Sequence, residues 1–273
     1  MHSFVIDETN KNSTAGQFLI VGGLVFRPKQ MVKVHDAVEK IRLKYGYRDG
    51  DSLKFQISAR PAHVSIQDAT AAKKAVIKKL GKYKVRMITY VILHDIAASS
   101  SEQERMKMAL NTLAWGYHRL LKSDDADGMM LIDRDDQQHP HLVSLFQNGL
   151  SVERRNLVLR DRIRFFGMTA NNESHLSSAV DIALGGFRFC VNTAGLDEAH
   201  SAHMTANSIF GPLSSLLWSE KRGVTRRIGG FGFHARPKSV RVQRYQEQYD
   251  ELRQKLSEYS RSEAGEDTTP TPE

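Results

Sequence analysis

The chain has few of the residues and runs that mark secreted or membrane proteins. Its single cysteine, Cys190, cannot form an internal disulfide, and there is no Cys-x-x-Cys pair for zinc or thiol redox chemistry. No apolar run approaches the roughly 18 residues that a membrane-spanning helix needs. The first residues lack a basic segment followed by a long apolar stretch, so we expect no secretory signal peptide. These absences favour a soluble, cytoplasmic protein.

The signatures of common nucleotide-binding and zinc enzymes are also missing. No Gly-x-x-x-x-Gly-Lys loop occurs, which argues against a P-loop NTPase. Neither Gly22-Gly23 nor Gly229-Gly230 belongs to a Gly-x-Gly-x-x-Gly dinucleotide motif. No His-Glu-x-x-His pair of a zinc hydrolase is present.

Charge is the most biased property of the composition. Of 273 residues, 40% are hydrophobic and 26% charged, as in globular proteins, and the net charge is +8. Residues 260–273 are acidic and rich in Ser, Thr and Pro, which predicts a disordered tail. The remaining basic excess favours a nucleic-acid partner, because neutralising phosphates releases counterions. The alternative is that Lys-rich helix faces are simply solvated.

The order of apolar patterns predicts an α/β fold. Strands are predicted near 4–6, 17–26, 85–93, 129–132 and 162–168, and helices near 30–45, 67–80, 101–120, 139–152, 176–192 and 245–259. The first two strands form a hairpin, and an antiparallel front half feeds a parallel back half. We therefore expect one RNase H-like domain over 1–259, a mixed sheet flanked by helices, with a helical insertion at 27–81 and a helical C-terminal extension at 200–259.

Acidic residues follow two of these strands and interrupt one late helix. Asp7 and Glu8 end the first strand, Asp133 ends the strand at 129–132, and Asp136 lies just beyond it. If those strands are neighbours, their carboxyl ends bring the acids together, and a helix packed beside them adds Asp181. Crowded carboxylates repel one another, and Mg²⁺ or Mn²⁺ offsets this repulsion through oxygen ligands.

Asp181 is the most informative of these acids. It lies in a largely apolar, small-residue helix, where an unpaired charge is costly. We expect a metal ion or another cation beside it. The alternatives are an ion pair with Arg188 or a place on an exposed helix face.

The segments around these acids resemble the DUF3800 family. The resemblance rests on Phe4-Val5-Ile6-Asp7-Glu8-Thr9, on Leu131-Ile132-Asp133 and on Val180-Asp181-Ile182-Ala183-Leu184-Gly185-Gly186, and it spans about residues 3–190. It implies an RNase H-like fold and metal-dependent nuclease activity, with Lys54 as a phosphate contact. The chain departs from the family pattern at Thr9-Asn10, Ser178 and Val180, which bears on the substrate more than on the carboxylates.

Residues 223–238 combine cations, aromatics and glycines. Arg226, Arg227 and Arg236 could follow a nucleic-acid backbone there, with aromatic rings stacking on bases. The alternative is a glycine-rich hairpin pinned to the core by Phe231 and Phe233. The apolar stripe just before it, residues 213–218, is either core or a homodimer contact.

These observations lead to one main hypothesis and two alternatives. The main one is a Mg²⁺- or Mn²⁺-dependent phosphodiesterase acting on DNA or RNA. Asp7, Asp133 and Asp181 act as metal ligands and catalytic residues, assisted by Glu8 and, as a further ligand, by Asp136. The first alternative is a non-catalytic nucleic-acid-binding or regulatory module on the same fold. The second is an oligomeric partner protein that uses the 213–218 stripe and the terminal helix.

Overall fold

The computed structural model describes residues 1–11, 13–152, 155–169, 174–222 and 225–261. The predicted acidic tail lies outside these ranges from residue 262 onward. The strands are β1 His2–Thr9, β2 Phe18–Phe26, β3 Arg86–Leu93, β4 Gly128–Asp133, β5 Leu150–Val152, β6 Arg155–Leu157, β7 Ile163–Thr169, β8 Glu220–Arg222, β9 Thr225–Arg227 and β10 Phe233–Arg236. The helices are α1 Pro28–Lys44, α2 Ile66–Lys82, α3 Glu102–Ser123, α4 His139–Asn148, α5 His175–Ala194, α6 Ala202–Ser214 and α7 Gln243–Arg261.

Six strands form one mixed sheet in the order β10-β3-β2-β1-β4-β7. β2 is antiparallel to β1 and β3, whereas β4 is parallel to both β1 and β7. β10 is parallel to β3. The carboxyl ends of every strand except β2 therefore lie at the same edge of the sheet, which is where the acids of β1 and β4 fall.

Helices cover both faces of this sheet. Successive strand side chains point to opposite faces, so Val5 joins the core beneath α1, α2, α5, α6 and α7, while Phe4 and Ile6 join the core beneath α3 and α4. The side that carries Val5 is called the α5 face below, and the other the α3 face. This alternation confirms the predicted α/β class.

Local signals place most helix ends where the sequence predicts them. Ser101 caps α3: its hydroxyl accepts from the Glu104 amide at 3.2 Å, and the Glu104 carboxylate accepts from the Ser101 amide at 2.8 Å. The predicted insertion at 27–81 is helical and packs on the α5 face. The apolar stripe at 213–218 is core, since Leu213, Leu217 and Trp218 are buried. No helix of the described residues is both long and apolar enough to span a bilayer.

Two predicted elements are wrong in their extent. The helix predicted over 139–152 ends at Asn148, because Gly149 takes a positive φ of 76° and the chain turns into the β5–β6 hairpin. The extension at 200–259 is not wholly helical, since β10 adds a sixth strand to the main sheet. The strand predicted at 129–132 is fully buried only on the α3 face, where Met130 and Ile132 lie.

Gly23 offers a test of how tightly β1 is held. A Cβ at Gly23 would lie 1.9 Å from the Val5 carbonyl oxygen of the neighbouring strand, so any side chain must displace backbone. We expect Gly23→Ala to lower the free energy of unfolding by at least about 2 kcal/mol. Gly229→Ala, whose new Cβ would have no atom within 4 Å, is the control and should be near neutral in urea unfolding. Equal stabilities of the two variants would contradict the close approach of β1 to β2.

Candidate metal centre

The centre begins with the pairing of β1 and β4. Ile6 lies opposite Ile132 as the last pair of this parallel ladder, so the next residues, Asp7 and Asp133, lie side by side just beyond it. Alternation places both on the α5 face. Carboxylate oxygens of Asp7, Glu8 and Asp133 all lie within 4.8 Å of one another. The structure therefore brings the acids of β1 and β4 together, as the sequence predicts.

Asp181, on α5, is not among the three acids whose oxygens lie within 4.8 Å of one another, but it faces two of them across a small cavity. It lines this cavity of about 40 Å³ together with Asp7, Asp133, Lys54 and Thr169. Its Oδ2 accepts a hydrogen bond from the Phe55 amide at 2.6 Å. The two alternatives from the sequence were an ion pair with Arg188 and an exposed helix face. Neither matches the structure, because the Asp181 carboxylate is half-buried and bonded to the Phe55 amide.

The loop at Phe55 is clamped against α5. A Cβ at Gly185, one helical turn after Asp181, would lie 2.5 Å from the Phe55 side chain, so glycine lets the ring rest on the helix. Lys73 holds the other side of the loop, since its Nζ donates to the Phe55 carbonyl at 2.9 Å and lies 5.2 Å from the centre of the ring. This clamp gives a physical reason for an Asp-x-x-x-Gly spacing on α5.

Crowding and burial make this cluster electrostatically strained. Burial, and then the charge of Glu8, raise the pKa of Asp7 from 3.8 to about 7, with Asp181 and Asp133 adding to the effect. Burial also raises the pKa of Glu8, although Lys11 opposes this through an ion pair of 2.5 Å. Around neutral pH the cluster thus retains a proton that a divalent cation would displace.

The donor set fits a hard cation. Every donor in the group is a carboxylate oxygen, and hydroxyls of Thr169, Ser177 and Ser178 line the same cavity. Oxygen donors of this kind favour Mg²⁺ or Mn²⁺ over zinc. A cavity of about 40 Å³ holds an ion and a few waters, since one water needs about 10–15 Å³.

Asp136, the remaining predicted ligand, is not brought into the cluster. Its carboxylate is exposed and pairs with Arg134 at 3.1 Å. Sequence spacing could not separate it from Asp133, because both lie in the same acidic loop after β4. Lys54, by contrast, does line the cavity.

The three predicted nucleic-acid arginines also lie away from the acids. Arg226 is tied to the loop before β8, donating to the Ser215 carbonyl at 3.0 Å and to Ser219 Oγ at 2.7 Å. That loop pairs with the start of β3, at the opposite edge of the sheet. Arg227 is exposed beside it, and Arg236 ends β10, three strands from β1.

Lys73 and Phe55 are site residues that the sequence did not reveal. Phe55 contacts Asp181 across 126 positions, and Lys73 is one of several lysines on α2. Nothing in the local pattern separates Lys73 from its solvated neighbours, since only the packing of α2 near α5 brings it to the loop.

Comparisons with known proteins found no match among family models, curated proteins or solved structures. The DUF3800 resemblance therefore stays a prediction from short motifs. Any functional conclusion depends on the geometry of the centre itself.

The raised pKa of Asp7 predicts a pH-dependent gain in stability for Asp7→Asn. The folded protein holds this proton more tightly than the unfolded chain, so the favourable contribution is present below about pH 4 and is lost as pH rises through about 7. Removing the charge should therefore stabilise the metal-free protein more at pH 8 than at pH 5, by up to about 3 kcal/mol, because about two pKa units of the shift are expressed between these pH values. Chemical unfolding in EDTA at both pH values measures it. Asp136→Asn is the control, and a pH-independent difference for Asp7→Asn would contradict the assignment.

The clamp on α5 predicts that Gly185 cannot carry a side chain. Gly185→Ala should push Phe55 off the helix and break its hydrogen bond to Asp181, lowering both thermal stability and Mn²⁺ affinity. Gly186→Ala is the matched control, because its new Cβ would first meet an Ile209 methyl at 3.2 Å, which is a softer contact. Calorimetric Mn²⁺ titration of both variants tests this, and equal affinities would show that the clamp does not position Asp181.

Proposed function

We propose that this protein is a Mg²⁺- or Mn²⁺-dependent phosphodiesterase that cleaves nucleic acid. One observation carries the proposal: carboxylates from β1, β4 and α5 surround a single small cavity that Lys54 also lines. Three carboxylates and one lysine line this cavity, with Glu8 beside them, and such a group is costly to assemble, as the raised pKa values of Asp7 and Glu8 indicate. Sites of such strain are characteristic of catalysis and ligand binding.

The topology supports an RNase H-like fold for this enzyme. Five strands in the order β3-β2-β1-β4-β7, with β2 alone antiparallel to the others, make an antiparallel front half that feeds a parallel back half. The acids lie at the carboxyl ends of β1 and β4 and on the helix after β7, which are the places where the DUF3800 resemblance implies them.

Asp7, Asp133 and Asp181 would hold the metal ion, with Glu8 at the edge of the group. A bound divalent cation supplies an activated water and stabilises charge on the phosphate oxygens. The chain adds cationic and hydroxyl groups to this. Lys54 would attract a non-bridging phosphate oxygen, and Thr169, Ser177 and Ser178 could donate hydrogen bonds to it. Glu8 is half-buried beside Asp7 and Asp133, and its ion pair with Lys11 offsets its negative charge.

A small cavity and a basic chain suit a polymeric substrate. About 40 Å³ cannot enclose a nucleotide, so the base of a nucleotide substrate, free or in a strand, would lie outside the cavity. The basic excess of the chain suits such a polyanion.

Mn²⁺ binding and cleavage test the proposal together. Wild-type protein should bind Mn²⁺ at micromolar concentration, and Asp133→Asn should lose at least about tenfold in affinity because it removes one carboxylate of the group. Cleavage of labelled single- and double-stranded DNA and RNA should require the metal and fall by at least about a hundredfold in that variant. Asp136→Asn, outside the cluster, should retain both.

Two results would contradict the proposal in different ways. If Mn²⁺ does not bind even with an uncleaved oligonucleotide present, the acids do not form a metal site and the proposed metal-dependent cleavage is excluded. Tight, salt-sensitive nucleic-acid binding that survives Asp133→Asn without any turnover would favour the binding-module alternative.

A further inference from the structure

Two large grooves meet at one tryptophan, away from the acidic centre. A groove of about 630 Å³ and another of about 570 Å³ share Trp115, Arg236 and Lys238 in their walls. Trp115 belongs to α3 and therefore lies on the α3 face, whereas Asp7, Asp133 and Asp181 lie on the α5 face. Arg236 ends β10, three strands or about 14 Å from β1. We call this surface the Trp115 groove.

Cations converge on the Trp115 ring. The guanidinium carbons of Arg119 and Arg236 lie 4.7 and 5.7 Å from the ring centre, and Lys238 Nζ lies 5.6 Å from it. Arg119 is fixed in place, because it also packs on the Phe231 ring at 4.6 Å and donates to the Gly230 carbonyl at 2.8 Å. Like charges gathered so closely repel one another, and a bound anion relieves this.

Arg236 is the member of the group that most needs an anion. Its side chain is half-buried, and burial lowers its pKa, with the Tyr90 hydroxyl opposing this. In the part of the chain that the structure describes, no carboxylate pairs with the Arg236 guanidinium. A partly dehydrated, unpaired charge that faces an open groove is costly unless a ligand supplies the counter-charge.

Other charged groups offset part of the positive charge, since Glu220 acts on Arg119 and Arg253 pairs with Asp250 at 2.7 Å. Arg227 and Arg253 line the groove of about 570 Å³, and Glu220 is the one acid among its described wall residues. His234, also in this wall, is buried, and burial followed by the charge of Arg236 lowers its pKa to about 3. The imidazole is therefore neutral at neutral pH and adds no charge to the groove.

The groove of about 630 Å³ has both apolar and polar side chains in its wall beside Trp115. Ile96, Met108, Leu150 and Val152 supply apolar surface, while the Asn111 and Thr112 side chains supply hydrogen-bonding groups. An aromatic face next to cations, with polar groups at the edge, matches a planar base joined to a phosphate. Each of the two grooves has the volume of an ordinary small-ligand site.

We propose that the Trp115 groove binds an unpaired nucleotide, with its base stacked on Trp115 and its phosphate held by Arg236 and Lys238. The nucleotide is either free or part of a single strand, since both present the same base and phosphate. The site goes beyond the proposed phosphodiesterase and does not need its metal, so either proposal can fail while the other stands.

Intrinsic fluorescence reads out the stacking directly. The chain has two tryptophans, so in Trp218→Phe the emission comes from Trp115 alone. A short oligodeoxythymidine, added in EDTA to prevent cleavage, should quench this emission as it binds. Thymidine monophosphate is the second probe: quenching and competition by it identify free nucleotide as the ligand, whereas quenching by the oligonucleotide only identifies a single strand.

Variants separate stacking from simple charge attraction. Trp115→Leu should weaken oligonucleotide binding by about tenfold, whereas Trp115→Phe should keep the affinity within about threefold, because a ring still stacks. The double variant Arg236→Gln/Lys238→Gln should lose at least about tenfold and reduce the salt dependence by about two phosphate contacts. Lys78→Gln/Lys79→Gln on exposed positions of α2 removes the same charge elsewhere and is the control.

Three outcomes would overturn the proposal. Equal losses in the two double variants would show that only net charge matters. Unchanged affinity in a folded Trp115→Leu protein would exclude stacking, as would oligonucleotide binding without quenching of Trp115. Mn²⁺ binding measured on the same variants should stay at the wild-type level, which distinguishes failure of this site from failure of the metal centre.

Discussion

The candidate centre depends on one constraint, the parallel pairing of β1 with β4. Ile6 and Ile132, opposite each other in this ladder, are buried together on the α3 face. That burial fixes the register, since a slip of β4 by one residue would move Met130 and Ile132 to the α5 face and turn Asp133 into the α3-face core. The residues that follow are then forced side by side, and Asp7 and Asp133 meet on the α5 face. Apolar packing thus holds in place carboxylates that would otherwise separate, and the raised pKa of Asp7 is the electrostatic result.

Long-range packing completes the centre from the other side of the core. α5 supplies Asp181, and the loop at Phe55 fixes that carboxylate by an amide donor at 2.6 Å. Gly185 admits the Phe55 ring, and Lys73 ties the loop carbonyl. The insertion between β2 and β3 is therefore part of the site, because its loop and second helix hold the third acidic element. A change in this clamp would reach Asp181 through its hydrogen bond to the Phe55 amide.

Acidic and basic functions are separated by the sheet itself. Asp7, Asp133 and Asp181 lie on the α5 face, whereas the cations around Trp115 lie on the α3 face and toward the β10 edge. The net charge of +8 describes neither surface, since it averages over a strongly acidic pocket and a strongly basic groove. Arg226 shows that a cation in the sequence need not be available to a ligand, because its guanidinium already donates to the Ser215 carbonyl and the Ser219 hydroxyl. Arg236, three strands from the acids, keeps a charge available to a ligand.

The sequence by itself determined the α/β class, the hairpin, the helix start at Ser101 and the acids at strand ends, because these follow from local periodicity and capping. Asp181 was also visible, as a lone charge in an apolar helix. The tertiary structure alone decided the membership of the centre: it excluded Asp136 and added Lys73 and Phe55, since those contacts join distant segments. β10 was missed because a four-residue strand has too little pattern of its own and is stabilised by pairing with β3. Convergence of Arg119, Arg236 and Lys238 on Trp115 likewise arises only when α3 and β10 pack side by side.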